Sequence, residues 1–215
     1  SAASMPTDLY YPECYLVSSN TKVFCWSLFQ GKSSMYNIGT PGWTDAGPMV
    51  VASRQEAASA QLADGRILLV GGRNDQAKLT AEIFDPTGGA GVGTYAATTF
   101  PPATARAAGG AVLLADGRVI IAGGDDLAAG PVLVSEIFDP STGGFSAGTS
   151  LNEAKPNISR GIRFPDNRVM LQGGSGKTEI YDPPGGGSWT LANITSGGTG
   201  LGAGELGFVG ANVPL

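Results

Sequence analysis

Ala63-Asp-Gly-Arg-Ile-Leu-Leu-Val-Gly-Gly72 decides the fold, because the chain repeats it. It returns as Ala115-Asp-Gly-Arg-Val-Ile-Ile-Ala-Gly-Gly124 and as Pro165-Asp-Asn-Arg-Val-Met-Leu-Gln-Gly-Gly174. Each copy precedes a second phrase: Glu82-Ile-Phe-Asp-Pro86, Glu136-Ile-Phe-Asp-Pro140 and Glu179-Ile-Tyr-Asp-Pro183. The Gly-Gly pairs stand 52 and then 50 residues apart. Asp-Gly or Asp-Asn between two apolar runs predicts a tight hairpin turn, both residues tolerating positive φ. The run that follows the arginine, Ile67 to Val70 or Val119 to Ala122, is apolar on both faces and predicts an inner strand buried between neighbouring units. Gly-Gly ends that strand where backbones crowd and no Cβ fits. The second phrase supplies the next strand, which proline stops by lacking an N–H.

A divergent copy comes first. Ser19-Asn-Thr-Lys-Val-Phe-Cys-Trp26 aligns with Ala63 to Val70, and Met35-Tyr36-Asn37 aligns with Ile83-Phe84-Asp85. Ser27-Leu28 replaces Gly-Gly there, and the aromatic Trp43 mirrors Phe145 and Trp189, which are expected to pack between units. Ser53-Arg-Gln-Glu-Ala-Ala-Ser-Ala-Gln-Leu62 is the one helix-like stretch. Arg54 and Arg106 both stand eight residues before the leucine that opens a hairpin, which turns this stretch into a strand. The expectation is a single all-β domain over 1–215, with repeats at about 16–62, 62–114, 114–164 and 164–215. Inner strands are expected near 23–26, 67–70, 119–122 and 169–172.

Two glycine-rich stretches imitate nucleotide sites. GGSGKT at 173–178 has Leu171 where a phosphate-binding loop needs its first glycine, and it runs into the strand-like Glu179-Ile-Tyr-Asp-Pro183 rather than a helix. It is the Gly-Gly of the last repeat with a shortened loop. Gly202-Ala-Gly-Glu-Leu-Gly207 matches a dinucleotide fingerprint, but the eight residues after it leave no room for the helix and second strand that such a site requires.

Glycine at 34, proline at 14 and charged residues at only 14% suit short strands joined by tight turns. A net charge of −5 without any basic run argues against nucleic acid, whose binding rests on phosphate neutralisation. No apolar run approaches the roughly 18 residues of a membrane helix. Cys14 and Cys25 flank a turn-like cluster, Ser18-Ser-Asn-Thr21, so a hairpin brings them level; a disulfide is expected, with two buried thiols as the alternative. The sequons at Asn157 and Asn193 fit the same oxidising, secreted setting. Ser1-Ala-Ala-Ser carries no leader, as at a mature end after signal cleavage or at an artificial boundary.

A period near 50 with four strands per unit is that of the kelch β-propeller. Over about 16–190 the repeats resemble the secreted type with an L-x-D-G-R-V-L-V-x-G-G phrase, which includes the propeller domains of galactose oxidase and glyoxal oxidase. That resemblance implies four blades here. In the copper-radical oxidases it also implies copper held by two histidines and two tyrosines, one tyrosine cross-linked to cysteine. This chain has no histidine. Ala57, Gly109 and Ser159 stand where many relatives place one. No cofactor is therefore expected, and no Ser-His-Asp or Cys-His arrangement is available. Asp125-Asp126 is short of the about six to eight oxygens that calcium takes and reads as a solvated loop. Glu82, Glu136 and Glu179 repeat in register, which suits a structural role rather than a glycosidase pair.

The expectation is a non-catalytic extracellular module for binding or structural assembly, with a protein or glycan partner. The alternative is a degenerate or partial enzyme of the oxidase type. Candidate binding residues lie on the loops after the Gly-Gly pairs: Arg73, Asn74 and Asp75, then Asp125 and Asp126, then Lys177. Such propellers close with six or seven blades, so four repeats imply a small ring closed by the chain ends, or self-association into a dimer or filament.

Overall fold

The computed structural model describes residues 5, 9–52, 54–126, 128–156, 158–173, 178–183 and 187–192. Asn157, Asn193, Lys177 and the strand-like segment 204–213 lie outside them. Four four-stranded antiparallel sheets succeed one another along the chain, each a simple meander. The first holds β1 (Pro12–Val17), β2 (Lys22–Ser27), β3 (Ser33–Asn37) and β4 (Gly42–Asp45). The second holds β5 (Ala58–Gln61), β6 (Ile67–Val70), β7 (Ala81–Asp85) and β8 (Thr94–Ala97). The third holds β9 (Gly110–Leu113) and β10 (Val119–Ala122), then, after a short ribbon of β11 (Asp125–Asp126) with β12 (Gly130–Pro131), β13 (Ser135–Asp139) and β14 (Gly144–Ala147). The fourth holds β15 (Ile158–Arg163), β16 (Val169–Gly173), β17 (Thr178–Asp182) and β18 (Ser188–Ala192). Apart from strands, the regular structure among the described residues is one 3-10 turn at Gly89–Gly91. The Ala-rich stretch ends in β5 and forms no helix.

The hairpin turns differ in detail from their reading in sequence. Gly65 N donates to Leu62 O at 3.0 Å and Leu62 N to Arg66 O at 2.8 Å. Only the second residue of each pair takes positive φ: Gly65 at 88°, Gly117 at 88° and Asn167 at 71°. This is a three-residue hairpin closed by one left-handed residue, which leaves the aspartate free for another task. Asp64 accepts the Arg66 amide at 3.1 Å and its Nε at 2.8 Å; Asp116–Arg118 and Asp166–Arg168 repeat both bonds.

Three cores join the sheets face to face. Val17, Phe24, Trp26 and Met35 of the first pack on Ile67, Leu69 and Phe84 of the second, with the Phe24 and Phe84 rings stacked at 4.1 Å. Ala58, Ala60, Leu68 and Val70 meet Val119, Ile121 and Phe138 of the third. Val112, Ile120 and Ala122 meet Val169, Leu171, Tyr181 and Trp189 of the fourth. The aromatic on each fourth strand stands opposite the third strand's aromatic, as in Phe84–Tyr95, Phe138–Phe145 and Tyr181–Trp189.

The strands expected to be buried between neighbouring units are the second of each sheet. β6 and β10 are buried throughout, because strands flank both edges and sheets cover both faces. The first strands approach one another from sheet to sheet: β5 runs against β9, and β9 against β15. Small residues make this approach possible, notably Ala58, Ala60, Gly110 and Ala111. A Cβ on Gly161 of β15 would collide with Val112 of β9. The Gly-Gly pair serves a related approach: at Gly71 (φ 74°) a Cβ would strike the Arg106 carbonyl of the segment leading into the third sheet.

Each of the later sheets is locked by a buried ion pair that the sequence presented only as separate repeat positions. Arg54 Nε lies 2.6 Å from Glu82, Arg106 Nη2 3.0 Å from Glu136 and Lys155 Nζ 3.6 Å from Glu179. Arg54 also donates to the Gly71 carbonyl and, at 3.0 Å, to Thr80 O; Arg106 donates to Gly123 O at 2.7 Å and Val134 O at 3.2 Å. The glutamates accept from the linking backbone: Val50 N at 2.7 Å, Ala103 N at 2.6 Å and Asn152 N at 2.9 Å. Burial pulls the Arg54 and Arg106 guanidinium pKa values down, against the opposing pull of Glu82 and Glu136. Glu136→Ala therefore leaves Arg106 buried and uncompensated, and a loss of about 3–5 kcal/mol is expected in chemical denaturation. A loss below about 1 kcal/mol, the worth of an exposed pair, would show that the clamp does not hold the sheet.

The first sheet carries the expected disulfide. Cys14 and Cys25 are directly opposed on β1 and β2, with Cα atoms 4.1 Å apart, on the face turned away from the second sheet. The 11-residue separation predicts that Cys14→Ala with Cys25→Ala lowers stability by roughly 3 kcal/mol on the chain-entropy model, read by denaturant titration of both proteins under non-reducing conditions.

Candidate functional site

Strand register puts the Gly-Gly loops and the segments leading into each sheet at one end. Pro12 pairs with Ser27, Ala58 with Val70 and Gly110 with Ala122. At this end Glu56 N donates to Leu28 O and Ala108 N to Glu56 O, both at 2.6 Å, so the strand end of the first sheet and the lead-in segments of the second and third are tied together. Register makes Tyr11, Glu56 and Ala108 equivalent, and all three hold left-handed φ, at 47°, 50° and 51°. Left-handed backbone in non-glycine residues costs energy and persists where its surroundings fix it.

The predicted loop residues gather on this face. Arg73 Nε donates to Glu56 Oε2 at 2.6 Å; that bond raises the Arg73 pKa, burial opposes it, and Glu56 and Asp125 add to it by charge. Lys78 Nζ lies 2.9 Å from Asp75, whose hydrogen bond raises the Lys78 pKa and whose own pKa falls in return. Asp126 also raises Lys78. Asp125 is anchored through its backbone to Ala107, in bonds of 2.8 and 2.9 Å. Asn74 plays a different part: its Oδ1 accepts the Ala77 amide at 2.7 Å and shapes the turn. Lys177 lies outside the described residues. The sequence reading missed Glu56, Lys78 and the exposed aromatics Tyr10, Tyr11 and Phe29 of the first sheet. The signal available for Glu56 was its place two residues after a repeat arginine.

The opposite end has a cleft of about 350 Å³ between the second and third sheets, lined by Leu62, Asp64, Asp116, Arg118, Asp139 and Ser141. Its acids are each held by a residue two positions along the same turn, so they brace the hairpins. Asp64 and Asp116 each hold an arginine at 2.8 Å, and Asp139 accepts the Ser141 amide at 2.8 Å and hydroxyl at 2.6 Å. The Gly-Gly face presents the more varied chemistry.

No protein-family profile and no curated protein matches the sequence. Solved structures do match in shape. YjhT, a kelch-type propeller, aligns with a TM-score of 0.67 at 14% identity, over 89% of this chain and 68% of YjhT. A fungal alcohol oxidase of the AA5 family, solved with copper, aligns with a TM-score of 0.63 at 19% identity, over 83% of this chain and 40% of the oxidase. The chain thus has a β-propeller-like fold. Its residues do not fit copper: there is no histidine, both cysteines are in the disulfide, and no three Cys, Asp or Glu residues converge among the described ones.

The hairpin aspartates give the fold its pH response. The Arg118 hydrogen bond holds the Asp116 carboxyl below the ordinary 3.8, Arg168 does the same for Asp166, and at Asp64 the Arg66 bonds outweigh the upward pull of burial. A lowered folded pKa gives stability that is present above 3.8 and lost as pH falls through the folded value. The melting temperature is expected to hold above about pH 5 and to drop below about pH 4, with Asp116→Asn flattening the drop. An unchanged profile in that variant would remove Asp116 from the acid response.

Proposed function

We propose that this chain is a kelch-type propeller unit of a secreted protein and that it acts as a non-catalytic binding module. Its partner is polar, a protein or a glycan, and sits on the Gly-Gly face. The observation that carries the reading is the tie of Leu28, Glu56 and Ala108 across three sheets, which fixes Glu56–Arg73 and the neighbouring Lys78, Asp75, Asp125 and Asp126 on one rigid, partly exposed surface. Binding residues on a scaffold that does not rearrange lose little entropy on association. The disulfide fits an oxidising compartment, and no helix among the described residues is long and apolar enough to cross a membrane.

The likeness to the copper oxidase favours a second reading, in which this chain is part of an enzyme whose metal ligands come from elsewhere; it spans 40% of that oxidase. One experiment separates the two. The purified chain is screened on glycan and polypeptide arrays, and hits are re-measured with Arg73→Glu, Asp125→Lys and, as a control at the opposite end, Arg163→Glu. Loss in the first two variants with retention in the third is expected. Absence of hits in both classes, or stoichiometric copper with alcohol turnover, would reject the binding-module reading.

A further inference from the structure

We infer that Tyr11 and Phe29 form a stacking platform for a pyranose ring, with Glu56 and Arg73 as its hydrogen-bonding flank, so that the partner on the Gly-Gly face is a glycan. This rests on the binding-module reading and names its ligand class.

The platform is built where the first repeat departs from Gly-Gly. Ser27 is fully buried, and its hydroxyl donates to Tyr10 O at 2.9 Å while accepting from Phe29 N at 3.3 Å and Gln30 N at 3.2 Å. One side chain thus fixes both segments that carry the rings. Tyr11 and Phe29 meet edge to face, with centroids 5.3 Å apart and planes at 70°. Tyr11 is 73% exposed, Phe29 45% and Tyr10 56%. The left-handed backbone at Tyr11 fixes the origin of its side chain, and the Phe29 ring braces it.

The flank is joined to the rings through the backbone, and register makes Glu56 the counterpart of Tyr11. Leu28, the neighbour of Phe29, accepts the Glu56 amide, and the Glu56 carboxylate holds the Arg73 guanidinium. Both side chains remain partly exposed, at 19% and 32%. Both Arg73 bonds end on Glu56 Oε2, so Oε1 and the remaining guanidinium N–H groups are left as acceptor and donors for vicinal hydroxyls. An all-equatorial pyranose presents axial C–H groups on both faces, either of which stacks on an aromatic ring, and carries hydroxyls around its edge. A nucleic acid strand also stacks, but Asp75, Asp125 and Asp126 repel its phosphates. Two rings and one ion pair cover far less than the roughly 800 Å² per partner of a standard protein interface. A sugar ring fits that scale.

The test uses the full chain with its disulfide intact. Cellohexaose, xylohexaose and chitohexaose are titrated by calorimetry against the wild type, Tyr11→Ala, Phe29→Ala and Tyr11→Trp. At least one hexasaccharide is expected to bind, with about tenfold or greater weakening in both alanine variants, as when a central aromatic anchor is removed. Tyr11→Trp is expected to retain binding, and melting temperatures to stay at the wild-type value because both rings are exposed. Wild-type affinity in Tyr11→Ala overturns the inference. So does capture of a polypeptide, but no glycan, through Arg73 and Asp125, which leaves the binding module standing. Absence of any ligand of either class removes the module and the platform together.

Discussion

The buried pair of a basic residue and a glutamate is the constraint on which the other features of a sheet depend. Arg106 reaches the Gly123 carbonyl, where a strand ends, and the Val134 carbonyl, where the next begins, while Glu136 caps the linking backbone at Ala103. Link, strand end and third strand are gathered at one point. Withdrawing two charges from water is costly, and their attraction offsets that cost only when the remaining donors and acceptors are also met. Here both Arg106 Nη groups and the second Glu136 oxygen go to backbone groups that would otherwise be buried without partners, while Arg106 Nε is left buried with no partner. The pair therefore specifies where the link crosses rather than adding much net stability.

The first sheet lacks the pair and is organised differently. Register places Leu9 where the others have Arg54 and Arg106, and Ser34 where they have Glu82 and Glu136. Leu9 is buried and apolar, so nothing gathers the strand end as a guanidinium does. Two other devices stand there. The disulfide cross-links β1 to β2, with Cys25 beside Ser34 in the ladder. The Ser27 hydroxyl then takes over the backbone groups near the strand end, serving Tyr10, Phe29 and Gln30. The loss of Gly-Gly and the loss of the ion pair belong to one substitution of device.

Features fixed by local chemistry were legible in the sequence. The hairpins, Gly-Gly crowding, proline stops and cysteine pairing each depend on residues within a dozen positions of one another. The ion pairs were not, because Arg54 and Glu82 are 28 residues apart and the repeat showed each only as a recurring residue. Four unbroken apolar residues in β6 signalled its burial between sheets, whereas the approach of first strand to first strand is carried by small residues such as Ala58 and Gly110, which leave no apolar run to read. On the candidate face, charged loops were visible as departures from the repeat. Tyr11, Glu56 and Ala108 were not, since three unlike side chains share only a backbone angle.

That shared angle explains how one scaffold carries different chemistry at each sheet. At Glu56 and Ala108 the left-handed residue stands where one sheet's lead-in segment meets the sheet before it, and the bonds from Glu56 N to Leu28 O and from Ala108 N to Glu56 O run through backbone atoms alone. No side-chain atom takes part in that tie. The position is constrained in direction and unconstrained in identity, so an aromatic, an acid and a methyl group occupy it in succession along the face. A propeller-like stack thereby presents a row of side chains with fixed origins and free chemistry, and its selectivity is written in the residues that the fold itself does not use.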